Sequence, residues 1–414
     1  MEEDGKKPMT QREKVHYLTN IKSFLTFIVV AHHTMGAFSG GGWYYGISAY
    51  RNVFVIIGST FMTLNQSYFM CVFFFISAYF SPSSLRRKGR DEFLKQRLKR
   101  LGIPFLVFLF VVGPGLLAWR DEVAMNRGWS YFPEPGPPWF LAWLLIFNYC
   151  FLCVDRKNED DDDDDETEGV TFRIRTLFVI AISFGFVQCL EMFFASQYIF
   201  MPITFGSLPF DILFFYCGLR AKKEEWLTKK LPDFMAQNRG TLRFVSLVCA
   251  AGVAAVFSIV YHYGGGHLLV LKNDCDATKM DHGDADLKSL LIVVGLGQLT
   301  ALFCMSFSFV LIDFFQNHVN CANSFTKFLG DTSYGVYLIH PLVVVPVTWS
   351  FLKLLESWED IKFTYADKDN TFSLTCVDTW YLPLGFVYTL SLSVIGTYLA
   401  SFLLKKLPLF REVL

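Results

Sequence analysis

Residues 21–38, IKSFLTFIVVAHHTMGAF, stay apolar for the depth of a membrane yet carry two adjacent histidines, His32 and His33, in their middle. Ionisable groups at that depth are costly and as a rule functional. Lys22 precedes His33 by eleven residues, which is three helical turns and roughly 16 Å of rise, so the two side chains share one helix face. With Lys22 at the inner surface, His33 reaches about mid-bilayer.

Outward from this segment the rest of the chain has the same character. It is 53% hydrophobic, 17% aromatic and 18% charged over 414 residues, too apolar for an ordinary soluble domain of that length. Counting apolar runs near the ~20 residues that cross a hydrocarbon core gives about ten spans. They centre on residues 21–39, 52–80, 101–119, 139–154, 173–196, 201–219, 241–263, 288–312, 325–355 and 380–404. The expected fold is an all-α, polytopic membrane protein: a single bundle of about ten transmembrane helices over residues 21–405, flanked by segments 1–20 and 406–414.

Basic residues in short connections stay on the cytoplasmic side. Here they collect before the first span (Lys6, Lys7, Arg12, Lys14), in Arg86 to Arg100, in Arg220 to Arg243 and in the tail (Lys405, Lys406, Arg411). Both termini are therefore expected in the cytoplasm of a multi-pass protein. The alternate connections are poor in basic residues and rich in Trp43, Tyr44, Tyr45, Trp129, Tyr131, Trp358, Trp380 and Tyr381, an outer aromatic belt. The N-terminus lacks the short apolar core and small-residue cleavage site of a removable signal peptide.

The acidic run Glu159 to Glu166, within residues 155–170, repels itself and is expected to be a disordered cytoplasmic loop. Between the sixth and seventh spans, Trp226, Leu227, Leu231 and Phe234 alternate with lysines, the pattern of an interfacial helix on anionic lipid. Most cysteines, such as Cys71, Cys189, Cys249 and Cys304, fall within spans as apolar fillers. Cys275 and Cys376 fall in the two longest outward loops, where an oxidising compartment would permit a disulfide; compartment alone leaves the pairing open. Cys150 and Cys153 lack a second ligand pair, so no metal site is expected. No phosphate loop, nucleophile elbow or nucleic-acid motif is present.

The second chemical segment is residues 73–104, FFFISAYFSPSSLRRKGRDEFLKQRLKRLGIP. It reads as an aromatic span, a Ser-Pro turn and a basic inner segment. Arg97 and Arg100 are three apart and share a face. They suit a phosphate-bearing ligand, since Arg presents a planar fork of donors, or they act as a topological anchor. His32 lies about 100° round the helix from His33, which points it to packing or hydrogen bonding rather than to the same cavity. His340, in YLIHPL, either lines a cavity or bonds a neighbouring helix. Glu191 and Asp211 sit in or beside apolar runs and call for partners across the bundle.

Taken in order, these segments resemble the membrane-bound acyltransferase 3 family over nearly the whole chain. Lys22 and His33 are similar to an Arg followed after ten residues by a His in that family's opening helix. FFFISAYF with its basic sequel resembles the second helix and loop, and FLKQRLKRLGIP places Arg97 and Arg100 on the paired arginines. PPWFLAWLLIF (137–147) resembles the His-Leu-Trp-Phe-Leu segment, and DTSYGVYLIHP (331–341) the late Ser-Tyr, Tyr-Leu and His pattern. Two places depart: Lys22 keeps the charge of the Arg without its fork, and Pro138 with the preceding Pro137 stands where the family often has His-Leu.

The resemblance implies transfer of an acyl group, commonly acetyl, from acyl-CoA as co-substrate to a hydroxyl of a sugar, glycan, lipid or small molecule. His33 would be the general base, with Lys22, Arg97 and Arg100 binding the acyl donor and no bound cofactor. The lipid bilayer is a further expected partner, and nucleic acid is not. Two other readings stay open at this point. One is a proton-coupled transporter, which would use the same intramembrane groups but for which no paired-half repeat is found. The other is a catalytically inactive family member, given the two departures.

Overall fold

The computed structural model describes residues 15–39, 44–45, 47–48, 53–124, 128–160, 173–194, 207–262, 287–359, 364–366, 371–373 and 380–413. Trp43, Cys275, Cys376, the N-terminal lysines, the Glu191 side chain and the acidic run from residue 161 onward lie outside the described residues.

Among the described residues ten helices follow one another, as the apolar runs predict: α1 (His16–Phe38), α2 (Val53–Lys88), α3 (Arg90–Val123), α4 (Trp139–Asp160), α5 (Ile174–Phe194), α6 (Leu208–Lys223), α7 (Leu231–His262), α8 (Leu287–His318), α9 (Ser324–Glu359) and α10 (Tyr381–Leu404). A short α11 (Pro408–Arg411) ends the chain. Seven of the ten are long and apolar enough to cross a membrane, and α4 and α5 contain shorter apolar stretches. The chain is thus an all-α, multi-pass membrane protein. At one end a small sheet of order β1-β3-β2 forms from β1 (Ile47–Ser48), β2 (Thr364–Ala366) and β3 (Thr371–Ser373). It ties the connection after α1 to the one before α10.

α1 occupies the centre and packs on α2, α8, α9 and α10. Its residues are buried on nearly every side, as expected of a helix that is apolar all round. Polar contacts fix its depth. Asn20 Nδ2 donates to the carbonyls of Val319 (2.7 Å) and Cys321 (3.0 Å) just past the end of α8, and Ser333 Oγ of α9 donates to Ser23 Oγ at 3.1 Å. Where α2 meets α6, a Cβ on Gly218 would lie 2.3 Å from the Phe75 carbonyl oxygen, so only glycine permits that approach.

Two expectations are corrected. Ser81-Pro82 is not a turn: α2 runs through Pro82 to Lys88, and the reversal comes at Gly89, φ +77°, where glycine accepts positive φ without a Cβ penalty. A proline within a bundle is tolerated because neighbouring groups satisfy the backbone it leaves open. Nor is Arg220 to Arg243 an interfacial helix. α6 ends at Lys223, Glu225 turns the chain at φ +52°, and a wide turn (Trp226–Lys230) leads directly into α7. Trp226, Leu227, Leu231 and Phe234 are buried in the main core rather than facing lipid.

Candidate functional site

α1 and α2 run side by side, and α3 starts immediately after Gly89, so the basic residues at the end of α2 and the start of α3 surround the Lys22 end of α1. A cavity of about 810 Å³ opens there. Among the described residues its cations are Lys22 from α1, Arg86, Arg87 and Lys88 from α2, and Arg97 and Arg100 from α3, and none of the described lining residues is a carboxylate. Three lie over aromatic faces: Lys22 Nζ is 5.5 Å from the Phe80 ring centre, Arg97 Cζ 4.8 Å from Phe93 and Arg100 Cζ 5.7 Å from Tyr334. Such faces hold a cation without neutralising it. Arg97 Nη2 also donates to Ser81 Oγ at 3.1 Å. The wide turn Leu98–Gly102 carries Arg100, and both arginines reach the same cavity.

Farther along α1, the histidines form one aromatic group. The His33 ring stacks on His340 of α9 at 5.1 Å and 22°, and meets His32 edge-on at 5.3 Å. His32 is buried and stacks on Phe69 of α2 at 5.4 Å. It packs as the sequence suggests, yet its ring is not remote from His33 as the 100° offset implied. His340 Nδ1 lies 2.7 Å from the Tyr337 carbonyl. A carbonyl can only accept, so Nδ1 carries the proton and Nε2 is the basic nitrogen of that ring. Tyr337 in turn donates from its hydroxyl to the Pro137 carbonyl at 2.5 Å. Through that bond the segment with Pro137 and Pro138 braces the helix that carries His340.

Lys22, Arg97 and Arg100 therefore come together at one cavity, and His33, His32 and His340 come together deeper in the bundle. The cavity's lining ends at Lys22 and Ile76 and includes none of the three histidines. His33 is half-buried. Among the described residues Asp211 has no Lys or His partner: the Cys71 thiol approaches its Oδ1 at 3.4 Å, in a fully buried contact between α2 and α6. Cys150 and Cys153 are exposed free thiols, and among the described residues no group of side chains could hold a metal ion. Arg97 is supported by Ser81, which the sequence presents as part of a turn, and through it by Asn148, which the sequence marks only as a small polar residue inside an apolar span.

Neither a curated protein nor a solved structure matches the chain. Residues 15–399 match the family model described as an acyltransferase domain, a stretch that takes in the Lys22 and His33 helix, the paired arginines and the His340 helix. The chain belongs to the acyltransferase 3 family.

Proposed function

We propose that this protein is an integral membrane O-acyltransferase that moves an acyl group, acetyl in the simplest case, from acyl-CoA to a hydroxyl of a sugar, glycan, lipid or small molecule. The observation that carries the reading is the cavity at the Lys22 end of α1, where, among the described residues, six cations and no carboxylate face one space. A phosphate-rich donor is the ligand such a lining favours, because guanidinium groups offer paired, permanently charged donors to phosphate oxygens. By the distribution of Lys and Arg, this end and both termini face the cytosol, where acyl-CoA is at hand.

The thioester end must then travel along α1 from Lys22 toward His33, three helical turns and roughly 16 Å. The narrow pantetheine arm is the part of the donor suited to that interval. At His33 the neutral imidazole accepts the proton of the acceptor hydroxyl as its oxygen attacks the thioester carbonyl carbon. The carbon–sulfur bond breaks, and the departing CoA thiolate takes the proton from the imidazolium. His340, stacked on the His33 ring at 5.1 Å, holds that imidazole in its orientation. Lys22 keeps positive potential between the donor phosphates and the reacting carbonyl.

The test is His33→Ala in purified protein supplied with radiolabelled acetyl-CoA and a cell extract as acceptor source. A general base supplies about 10²–10⁴-fold, so transfer should fall by that order while acetyl-CoA binding persists. Turnover within a fewfold of the parent would remove His33 from the mechanism. Mass spectrometry of glycans and metabolites, with and without the chain, identifies the acceptor by its added acyl mass.

A further inference from the structure

We infer that Ser81 and Asn148 are positioning residues: a two-member relay from α2 and α4 aims the Arg97 guanidinium into the basic cavity and so sets affinity for the phosphate-bearing end of the acyl donor. The inference rests on the donor-site reading above.

The hydrogen bonds have a direction that can be worked out atom by atom. Asn148 Nδ2 lies 2.7 Å from the Leu144 carbonyl; a carbonyl only accepts, so the amide nitrogen is assigned to that side. Oδ1 is then turned toward Ser81, whose Oγ is 3.0 Å away. The Ser81 hydroxyl has one proton, to give to Asn148 Oδ1 or to the Ser77 carbonyl, also 3.0 Å away. With that proton given to Asn148 Oδ1, which can only accept, the Ser81 lone pairs receive the N–H of Arg97 Nη2 at 3.1 Å.

Ser81 and Asn148 are 0% and 1% exposed, so each polar atom in the relay carries a desolvation cost that a bare apolar packing would not. A serine that merely satisfied its own helix would need only Ser77. Asn148, from a third helix, adds a contact whose effect is to fix where the Ser81 oxygen points. On the other side Arg97 is backed by the Phe93 ring. A long guanidinium side chain released from such a grip turns toward water and loses its aim.

The experiment is equilibrium binding of tritiated acetyl-CoA to the full-length protein in detergent, with kcat at saturating acetyl-CoA measured alongside. Ser81→Ala and Asn148→Leu should each raise Kd about tenfold, the worth of a well-placed charged hydrogen bond, with kcat unchanged. Ser81→Thr, which keeps the hydroxyl, should stay within about twofold of the parent. The decisive arm is the double variant: in an Arg97→Ala background, Ser81→Ala should weaken binding by less than about twofold further. Equal weakening in both backgrounds, or unchanged Kd on Ser81→Ala while Arg97→Ala weakens binding, overturns the relay and leaves the donor site standing. Unchanged Kd on Arg97→Ala overturns the donor-site reading and the relay with it. If Ser81→Ala does not elute as a single species, Asn148→Leu carries the same cycle against Arg97→Ala.

Discussion

Two basic stretches, Arg86 to Arg100 and Arg220 to Arg243, look alike in sequence and meet different fates. In the second, most of the charges find carboxylates, Lys222 over the Tyr79 ring being an exception. Arg239 grips Asp313 with two bonds, 2.9 and 2.8 Å, Arg243 lies 3.9 Å from the same carboxylate, and Asn317 donates to it at 2.9 Å. Glu224 is held by Arg220 at 2.5 Å, by Lys230 at 2.6 Å and by the Trp226 indole at 2.9 Å. In the first stretch, Arg90 and Lys99 pair with Asp155 and Glu412, but the cations that line the cavity meet uncharged partners instead: Arg97 the Phe93 ring and the Ser81 hydroxyl, Arg100 the Tyr334 ring and the Val413 carbonyl, and Lys88 the Gln96 amide oxygen. A charge paired with a carboxylate closes helix ends together; one cradled by a ring or a serine keeps its field for a ligand. Charge density alone does not separate the two, and the identity of the partner does.

The comparison breaks most sharply on acetyl-CoA affinity. Each cavity guanidinium that holds a phosphate should contribute about tenfold, so the double change Arg97→Ala and Arg100→Ala should weaken binding about a hundredfold in the equilibrium assay. Arg239→Ala with Arg243→Ala should leave the affinity within about twofold. Instead it strips the buried Asp313 of its counter-charges and should lower the melting temperature in detergent more than the cavity pair does. Equal losses of affinity from both pairs would mean that the basic end acts as one diffuse field and that the cavity is not a defined site.

Ionic strength gives a smaller separation. Screening weakens the pull of partly open cations on phosphate, so parent affinity for acetyl-CoA should fall roughly three- to tenfold as salt rises from about 0.05 to 0.5 M. The Arg97→Ala and Arg100→Ala double variant should show a visibly shallower slope, while the Arg239→Ala and Arg243→Ala variant keeps the parent slope. A flat response in the parent would remove electrostatics as the basis of donor binding.

Much of this was legible in the sequence because a membrane narrows the choices. Apolar length sets the helices, and an ionisable residue inside one announces itself; thus α1 with Lys22 and His33 and the face shared by Arg97 and Arg100 could be read directly. What the sequence hid depends on who covers a surface. Trp226, Leu227, Leu231 and Phe234 form the same amphipathic pattern whether lipid or protein lies against them, and here it is protein. Pro82 and the basic run after it read as the end of a helix, although α2 continues for another turn and more and thereby places Arg86, Arg87 and Lys88 on the cavity. The stack of His33 on His340 and the grip of Asn148 and Ser81 on Arg97 join distant helices, and neither carries a local spacing that one sequence could betray.

The finest separation is in pH. Burial by itself would raise the Glu224 carboxyl, but the hydrogen bonds from Lys230 and Trp226 and the charge of Arg220 outweigh it, and the net shift is downward. A carboxyl whose folded value lies below its unfolded value, about 4.3 for Glu, adds stability that is fully present above that unfolded value. The contribution is lost as pH falls through the folded value. The melting temperature should therefore drop as pH is taken below about 4.5, and Glu224→Gln should start lower at neutral pH and lose less on acidification. Guanidinium groups do not titrate in this range, so Arg97→Ala should shift the whole stability curve without changing its acid slope. If the Glu224→Gln curve instead runs parallel to the parent, carboxylate pairing at the turn between α6 and α7 does not hold that corner together, and the contrast between a locked and an open basic stretch must rest on Asp313 alone.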